Sequence, residues 1–239
     1  MKQVLHLAQE RGSANHGWLN SHHSFSFANY YNPQKMNFGL LRVLNDDTVA
    51  PGMGFGKHPH DNMEIISIPL QGDLEHEDSM GNKAVIREGE IQAMSAGTGI
   101  FHSEYNASKS DEVKFLQIWI FPREKDVAPR YDQIVLPDLS KANTLHQVLS
   151  PNPDDAGIWV HQDAWFNMGT FDNGASQSYD LKRSNNGVYA FIIDGSFEIE
   201  GQKLSKRDAL GLWETDTIQI KSLEAGSRLL LIDVPMNFS

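Results

Sequence analysis

The chain carries the same short β pattern twice, and this repeat limits the folds open to it more than any other feature. Residues 65–75 read as a strand, a tight turn at Gly72 and a second strand, and residues 189–199 read the same way around Gly195. A later apolar strand stops at Pro122 in the first half, and a matching one stops at Pro235 in the second. The sequence therefore predicts two similar β units in tandem.

The remaining pattern favours β structure from end to end. Turn signals recur about every 8–12 residues, which is typical of a sandwich or a barrel. Helical periodicity is scarce, and residues 139–149 are the best short helix candidate. The region 129–153 is rich in Pro, Asp and Asn and forms the natural junction. We therefore predict two domains, residues 1–136 and residues 137–239.

Composition narrows the classes of function. The 239-residue chain has a formal net charge of −11 and no cysteine. An acidic chain repels phosphate backbones, so we expect no direct nucleic-acid binding. Disulfides, thiolate zinc sites and cysteine nucleophiles are excluded, and the absence of cysteine fits a reducing cytoplasm. No apolar segment reaches the length of a membrane span. We expect a cytoplasmic monomer without membrane contact.

Two pairs of potential metal ligands lie at the entrances to β segments. His58 and His60 follow one glycine-rich stretch, and His102 and Glu104 follow another. A spacing of i, i+2 in a strand directs both side chains to one face. Pro59 lacks a backbone donor, so this strand is predicted to start or edge a sheet. Two adjacent strands of this kind predict a metal site of the nitrogen and oxygen type.

Glu64 competes with Glu104 for the carboxylate role. It follows His60 by four residues, and an unbroken strand would direct it with the histidines, although Asp61 and Asn62 interrupt the segment. The alternative is that Glu64 orients an imidazole N–H from outside the ligand set. We favour Glu104 as the ligand and Glu64 as the group that orients an imidazole from outside the ligand set.

The other histidines carry weaker signals. His22 and His23 lie beside aromatic residues and either line a pocket or simply pack. We predict that His76 lies on an exposed strand face and that His161 is structural. The histidines without a partner signal are His6, His16 and His146. Gly97 and Gly99 are interpreted as turn residues that deliver His102, with an anion-binding loop as the alternative.

Several of these residues resemble known motifs. The pattern Gly52-x5-His58-x-His60-x3-Glu64-x7-Gly72 is similar to the first cupin motif, and Gly99-x2-His102-x3-Asn106 is similar to the end of the second. Within the cupin superfamily the chain resembles the pirin family, including its bacterial pirin-like members. The carriers are His58-Pro59-His60, Gly72 with His76-Glu77-Asp78, residues 94–104 (MSAGTGIFHSE) and residues 25–31 (FSFANYY).

This resemblance implies an all-β bicupin of the quercetin 2,3-dioxygenase-like kind. Two antiparallel β-barrels, each a double-stranded β-helix or jelly roll with few short helices, would pack face to face. One mononuclear metal would lie in the first barrel, held by His58, His60, His102 and Glu104. Fe(II) is the expected metal, and Ni, Cu, Mn or Zn also suit the ligands. The second barrel lacks these ligands.

The resemblance also implies an activity. A flavonol such as quercetin would bind the metal through its 3-hydroxyl and react with dioxygen, with oxygenolytic opening of its ring. Glu104 would stay a ligand or accept the hydroxyl proton. Candidate residues for the apolar pocket wall are Phe38, Met53, Phe55 and Met94. The alternative is a non-enzymatic metal- or redox-sensing regulator that binds a protein partner.

Overall fold

The computed structural model describes residues 1–237 and is built almost entirely of β-strands. The strands of the first half are β1 (Lys2–His6), β2 (Gly12–Asn15), β3 (Leu19–His23), β4 (Leu41–Val49), β5 (Gly54–His60), β6 (Glu64–Gln71), β7 (Leu74–Asp78), β8 (Lys83–Ile86), β9 (Glu90–Ser95), β10 (Ile100–Asn106), β11 (Val113–Ile120) and β12 (Arg130–Val135). Those of the second half are β13 (His146–Ser150), β14 (Ile158–Trp159), β15 (Trp165–Phe171), β16 (Ser176–Asp180), β17 (Asn186–Asp194), β18 (Ser196–Ile199), β19 (Gln202–Ser205), β20 (Ala209–Trp213), β21 (Thr217–Ser222) and β22 (Ser227–Pro235).

Helical structure is limited to one short 3-10 turn, Ala8–Glu10, across residues 1–237. The predicted helix at residues 139–149 is therefore wrong. His146–Ser150 forms β13, which pairs with β15, and Asn143 takes a left-handed φ of 65° that a helix does not tolerate. Pairing with a buried strand outweighed the weak helical pattern. The part of the chain that the structure describes holds no helix that is long and apolar enough to cross a membrane.

Each half pairs one large sheet with one small sheet, in a jelly-roll arrangement. In the first half the strand orders are β12-β9-β6-β11-β4-β3-β2 and β5-β10-β7-β8. In the second they are β1-β20-β17-β22-β15-β13-β14 and β16-β21-β18-β19. The repeat read from the sequence is confirmed, because Gly72 between β6 and β7 and Gly195 between β17 and β18 have φ values of 73° and 74°.

The two large sheets pack against each other through one continuous core. Alternate residues of a strand point to opposite faces. Ile66 and Ile68 of β6 therefore share one buried cluster with Phe166 and Leu230 of the second half, while Phe115 of β11 packs inside its own half. A separate cluster fills the inside of the second half. The prediction that the two units lie face to face thus follows from the side-chain alternation along their central strands.

The first strand joins the sheet of the second half. Residues 2–6 of β1 pair with β20, in register from Lys2 opposite Trp213 to His6 opposite Ala209. β12 pairs with β9 and so stays with the first half. The division between residues 136 and 137 stays a prediction, and residues 2–6 cross it.

Candidate metal centre and its cavity

The predicted ligands meet on the small sheet of the first half. β10 lies between β5 and β7, and its His102 is opposite His58 on one side, with Glu104 opposite His76 on the other. A bulge between His102 and Glu104 shifts the register against β5. β5 is an edge strand, as Pro59 predicts, because an edge position does not require its missing backbone donor.

Three imidazole rings converge at this point. The ring centroid of His58 lies 4.8 Å from that of His60 and 4.4 Å from that of His102, and the last two are 4.8 Å apart. Their potential ligand atoms all lie within 4.8 Å of one another. His58 Nδ1 lies 2.8 Å from the carbonyl oxygen of Gly56, which favours a proton on Nδ1 and leaves Nε2 free to bind a metal.

The buried nitrogens of this group lack protein partners. His60 Nε2 and both ring nitrogens of His102 have no hydrogen bond within residues 1–237. Burial, together with the neighbouring imidazoles, lowers the pKa of His60 and of His102 to about 3. Both rings are therefore neutral at physiological pH, and neutral imidazole is the form that binds metals. The donor set fits a divalent metal ion.

Glu104 lies beside His102 with its carboxylate held by two donors. Ser67 Oγ donates to Oε1 at 2.9 Å, and Gln117 Nε2 donates to Oε2 at 2.6 Å. The carboxylate is grouped with His76 and His102 within 4.8 Å, separately from the group of three histidines. His102 thus belongs to both groups, which makes it the centre of the arrangement.

His76 is the residue that the sequence interpretation placed wrongly. The side chain is fully buried, not exposed, and its ring lies 5.3 Å from that of His102 and 4.8 Å from that of Tyr131. Its Nε2 is 3.4 Å from Asp78 Oδ2. Leu74 supplied a usable signal, because residues 74, 76 and 78 share one face of β7 and only their neighbours Glu75 and Glu77 face outward.

Glu64 does not take the role proposed for it. Asn62 has a left-handed φ of 45°, which ends the strand after His60, and Glu64 starts β6 on the large sheet. Its carboxylate accepts hydrogen bonds from Ser95 Oγ at 2.7 Å and from the backbone N–H of His161, so the prediction that it orients an imidazole is wrong. Burial raises its pKa to about 7. The ring of His161 packs against Trp159 at 4.8 Å, outside both ligand groups.

The turn before β10 behaves as interpreted. Gly97 and Gly99 both have left-handed φ values, 47° and 127°. A Cβ atom on Gly97 would overlap the carbonyl oxygen of Val127, so only glycine fits there. These two positions serve backbone geometry and lead the chain into the strand that carries His102.

A cavity of about 290 Å³ opens beside His58 and Glu104. Four of the residues that line it have large aromatic side chains: Trp18, Phe27, Phe55 and Trp119. Its other lining residues are Ala14, His16, Leu19, Ser21, His23, Ala28, Asn45, Asp47 and Gln117. An apolar cavity with a few polar groups is the usual form of a small-molecule site.

The predicted wall of this cavity is right at one position of four. Phe55 lines it, but Phe38 packs in the core between the halves and Met94 in a separate buried cluster. Met53 is 43% exposed. Of the two adjacent histidines, His23 lines the cavity, and burial lowers its pKa to about 4. β6 and β9 are central strands whose faces cannot be told apart from composition alone, which explains errors such as Met94.

Family models match both halves of the chain. The model of the Pirin family matches residues 4–120, and one described as Quercetinase C-terminal cupin domain matches residues 147–234. Among similar proteins, one named quercetin 2,3-dioxygenase from Escherichia coli (strain K12) is 45% identical over 97% of this chain and 98% of its own. A protein named pirin-like protein from Caulobacter vibrioides is 39% identical over 93% and 95%.

A solved structure matches the fold closely. It is that of the bacterial pirin YhhW in complex with nickel(II) from Escherichia coli, which is 42% identical, with a TM-score of 0.92. The match covers 98% of this chain and 99% of that chain. At this level of identity over nearly the full length, the similarity extends beyond the fold.

Proposed function

This chain belongs to the pirin family, and from that membership we propose that it is a metal-dependent dioxygenase of the quercetin or flavonol type. The observation that carries the proposal is the group of three converging imidazoles at the edge of an aromatic cavity, of which His60 and His102 have buried nitrogens without a partner in residues 1–237. His58 belongs both to that group and to the cavity wall. A molecule in the cavity would therefore lie next to a metal held by the group.

The proposed ligands are His58, His60, His102 and Glu104. Three nitrogens and one carboxylate oxygen suit first-row divalent metals, with Fe(II) as our first choice and Ni, Cu, Mn or Zn as alternatives. When bound, such a metal supplies positive charge that lowers the pKa of a substrate hydroxyl. We further propose that this chemistry is confined to residues 1–136, because both ligand groups found within residues 1–237 lie there.

Glu104 is the proposed proton acceptor for the substrate 3-hydroxyl. Each of its oxygens accepts one hydrogen bond, from Ser67 or Gln117, and a carboxylate oxygen has a second lone pair that remains for a metal or a proton. The aromatic residues of the cavity would orient a flat ring and keep bulk water from it. Ser67 and Gln117 would hold the Glu104 carboxylate in one position throughout the reaction.

The test is turnover across a panel of metals. Purified protein loaded with one equivalent of Fe(II), Ni(II), Cu(II), Mn(II) or Zn(II) is given quercetin under air, and flavonol absorbance and oxygen uptake are followed together. We expect equimolar loss of quercetin and oxygen with at least one redox-active metal, and none after His102→Ala. Full metal occupancy without oxygen uptake for every metal would contradict the enzyme proposal.

The second candidate is a metal- or redox-sensing regulator. One observation favours it: Phe101 and Tyr105 alternate with His102 and Glu104 along β10 and are 48% and 38% exposed on the opposite face. A partner that bound there would be one strand thickness from the metal. Affinity capture that recovers one stoichiometric partner only from metal-loaded protein, and not from Phe101→Ser, would favour this function over catalysis.

A further inference from the structure

A row of polar residues crosses the inner face of the large sheet of the first half. His23 is opposite Asn45, Asn45 is opposite Gln117, and Gln117 is opposite Ser67, on four adjacent strands. Asp47 lies two residues after Asn45 on β4 and therefore on the same face. Polar residues are rare in the interior of a jelly roll, so a row of this length requires an explanation.

One end of the row is already occupied. Ser67 and Gln117 donate their hydrogen bonds to Glu104, as described above. At the other end, His23, Asn45 and Asp47 are only 3%, 2% and 3% exposed. His23 Nδ1, Asn45 Oδ1 and Asp47 Oδ1 have no hydrogen-bond partner in the part of the chain that is described. The row thus ends in three polar atoms without protein partners.

All three of these residues line the aromatic cavity. Buried polar atoms in folded proteins nearly always have a partner, and one left unpaired is costly. Two of the three atoms here are amide or carboxyl oxygens, which accept hydrogen bonds. The carboxyl group of Asp47 also has a side-chain hydrogen bond with Ser21. The missing partner is therefore a hydrogen-bond donor that enters the cavity between the aromatic walls.

Resting on the proposed function, we propose that Asn45 and Asp47, with His23 beside them, form a specificity site for a second hydroxyl of the substrate. This site lies on β3 and β4 of the large sheet, whereas the proposed ligand His58 lies on β5 of the small sheet. An aromatic molecule bound through one hydroxyl to a metal held by His58 would present another ring hydroxyl to the oxygens of Asn45 and Asp47. The substrate class is then an aromatic with hydroxyls at two separate edges, and a ring with a single hydroxyl is a poor ligand.

The test compares two flavonols that differ in their additional hydroxyls. Quercetin carries several, and 3-hydroxyflavone carries only the one expected at the metal. Zn(II)-loaded protein is titrated with each under argon, and binding is followed by calorimetry and tryptophan fluorescence, so that no turnover is needed. The variants are Asn45→Leu and Asp47→Leu, with Asp47→Asn to retain an acceptor. Thr48→Val on the same strand, outside the cavity lining, is the matched control.

We expect wild-type protein to bind quercetin at least about tenfold more tightly than 3-hydroxyflavone, since one hydrogen bond to a buried acceptor changes affinity by about that factor. Asn45→Leu and Asp47→Leu should remove most of this preference while 3-hydroxyflavone binds within about threefold of wild type. Asp47→Asn and Thr48→Val should keep the preference. Melting curves identify any variant that fails to fold.

Three results would overturn the specificity site: an unchanged ratio of the two affinities in both Leu variants, an equal loss for both flavonols, or no binding of either flavonol by folded wild-type protein. Failure of the dioxygenase proposal looks different. In that case no metal supports oxygen uptake, yet the ratio still collapses in the Leu variants, and the site is retained as a binding site.

Discussion

The substitution Gln117→Leu tests whether the hydrogen-bond donors to Glu104 determine the affinity of the site for its metal. In the structure Gln117 Nε2 donates to Glu104 Oε2 at 2.6 Å, in a region where both side chains are buried. A hydrogen bond to a charged group contributes roughly 1.5–3 kcal/mol, and its loss leaves the carboxylate with Ser67 alone. We therefore expect the free energy of unfolding of metal-free protein to fall by about 2 kcal/mol.

The same substitution should also weaken metal binding. Leucine is close to glutamine in size but leaves Glu104 free to turn away from His102, and loss of a group that orients a ligand lowers metal affinity by about 10- to 100-fold. Competition with a chromophoric chelator gives the affinity for Zn(II) or Ni(II), and urea unfolding without metal gives the stability.

Gln92→Leu is the matched control, since Gln92 is the same residue type and lies opposite Ser67 on the far side of the row. Gln92 is 1% exposed, and its Nε2 has no hydrogen-bond partner within residues 1–237. Its replacement by leucine removes no hydrogen bond to Glu104, so it should leave metal affinity unchanged and should not lower the stability of the metal-free protein. Equal losses of metal affinity in the two Leu variants would refute the orienting role of Gln117, as would a Gln117→Leu protein that binds metal like wild type.

Three further results are expected. His58→Ala should lose the bound metal while His76→Leu keeps one equivalent, as measured by elemental analysis, and equal metal content in both would contradict the proposed ligand set. Burial raises the Glu64 pKa from 4.5 to about 7, so folding favours its protonated form and the protein loses stability as pH rises through this window. Glu64→Gln should remove that loss, raising the free energy of unfolding at pH 8 by up to about 3 kcal/mol and leaving it unchanged at pH 4; the same gain at both pH values would refute the assignment. Gly97→Ala should lower the melting temperature more than Gly99→Ala, because only the first meets a backbone oxygen, and the reverse order in thermal unfolding would count against this account.

Strand periodicity was enough to predict two β units in tandem and to predict that the two residues of each ligand pair lie on one face of their strand. An i, i+2 spacing fixes which face a side chain takes, so His58 with His60, and His102 with Glu104, were predictable once their strands were recognised. The repeat around Gly72 and Gly195 was also predictable from local sequence, because a turn residue with a left-handed φ is usually glycine.

Residues brought in from distant strands were not predictable in this way. His76 lies beside Glu104 because β7 pairs with β10, and Gln117 reaches Glu104 from β11 of the other sheet. No local pattern encodes either neighbour. The same holds for Asp47, whose sequence context Asn45-Asp46-Asp47 reads as a polar turn although it lies within a nine-residue strand. Phe38 was assigned to the wrong wall because an apolar side chain suits the core between the halves as well as it suits a pocket.

The pairing of β1 with the sheet of the second half has a consequence for how the chain folds during synthesis. The backbone N–H of Ala8, just after β1, bonds to Asp208, 200 residues away, and the strand itself pairs with β20. During synthesis the first strand must wait unpaired until nearly the whole chain has left the ribosome, and contacts this distant in sequence slow folding. The large sheet of the second half is thus completed by the strand that is made first, which couples the start of the chain to its end in a single late step. Pulse proteolysis of stalled nascent chains should find β1 protease-sensitive until β20 emerges, and earlier protection would contradict this late pairing.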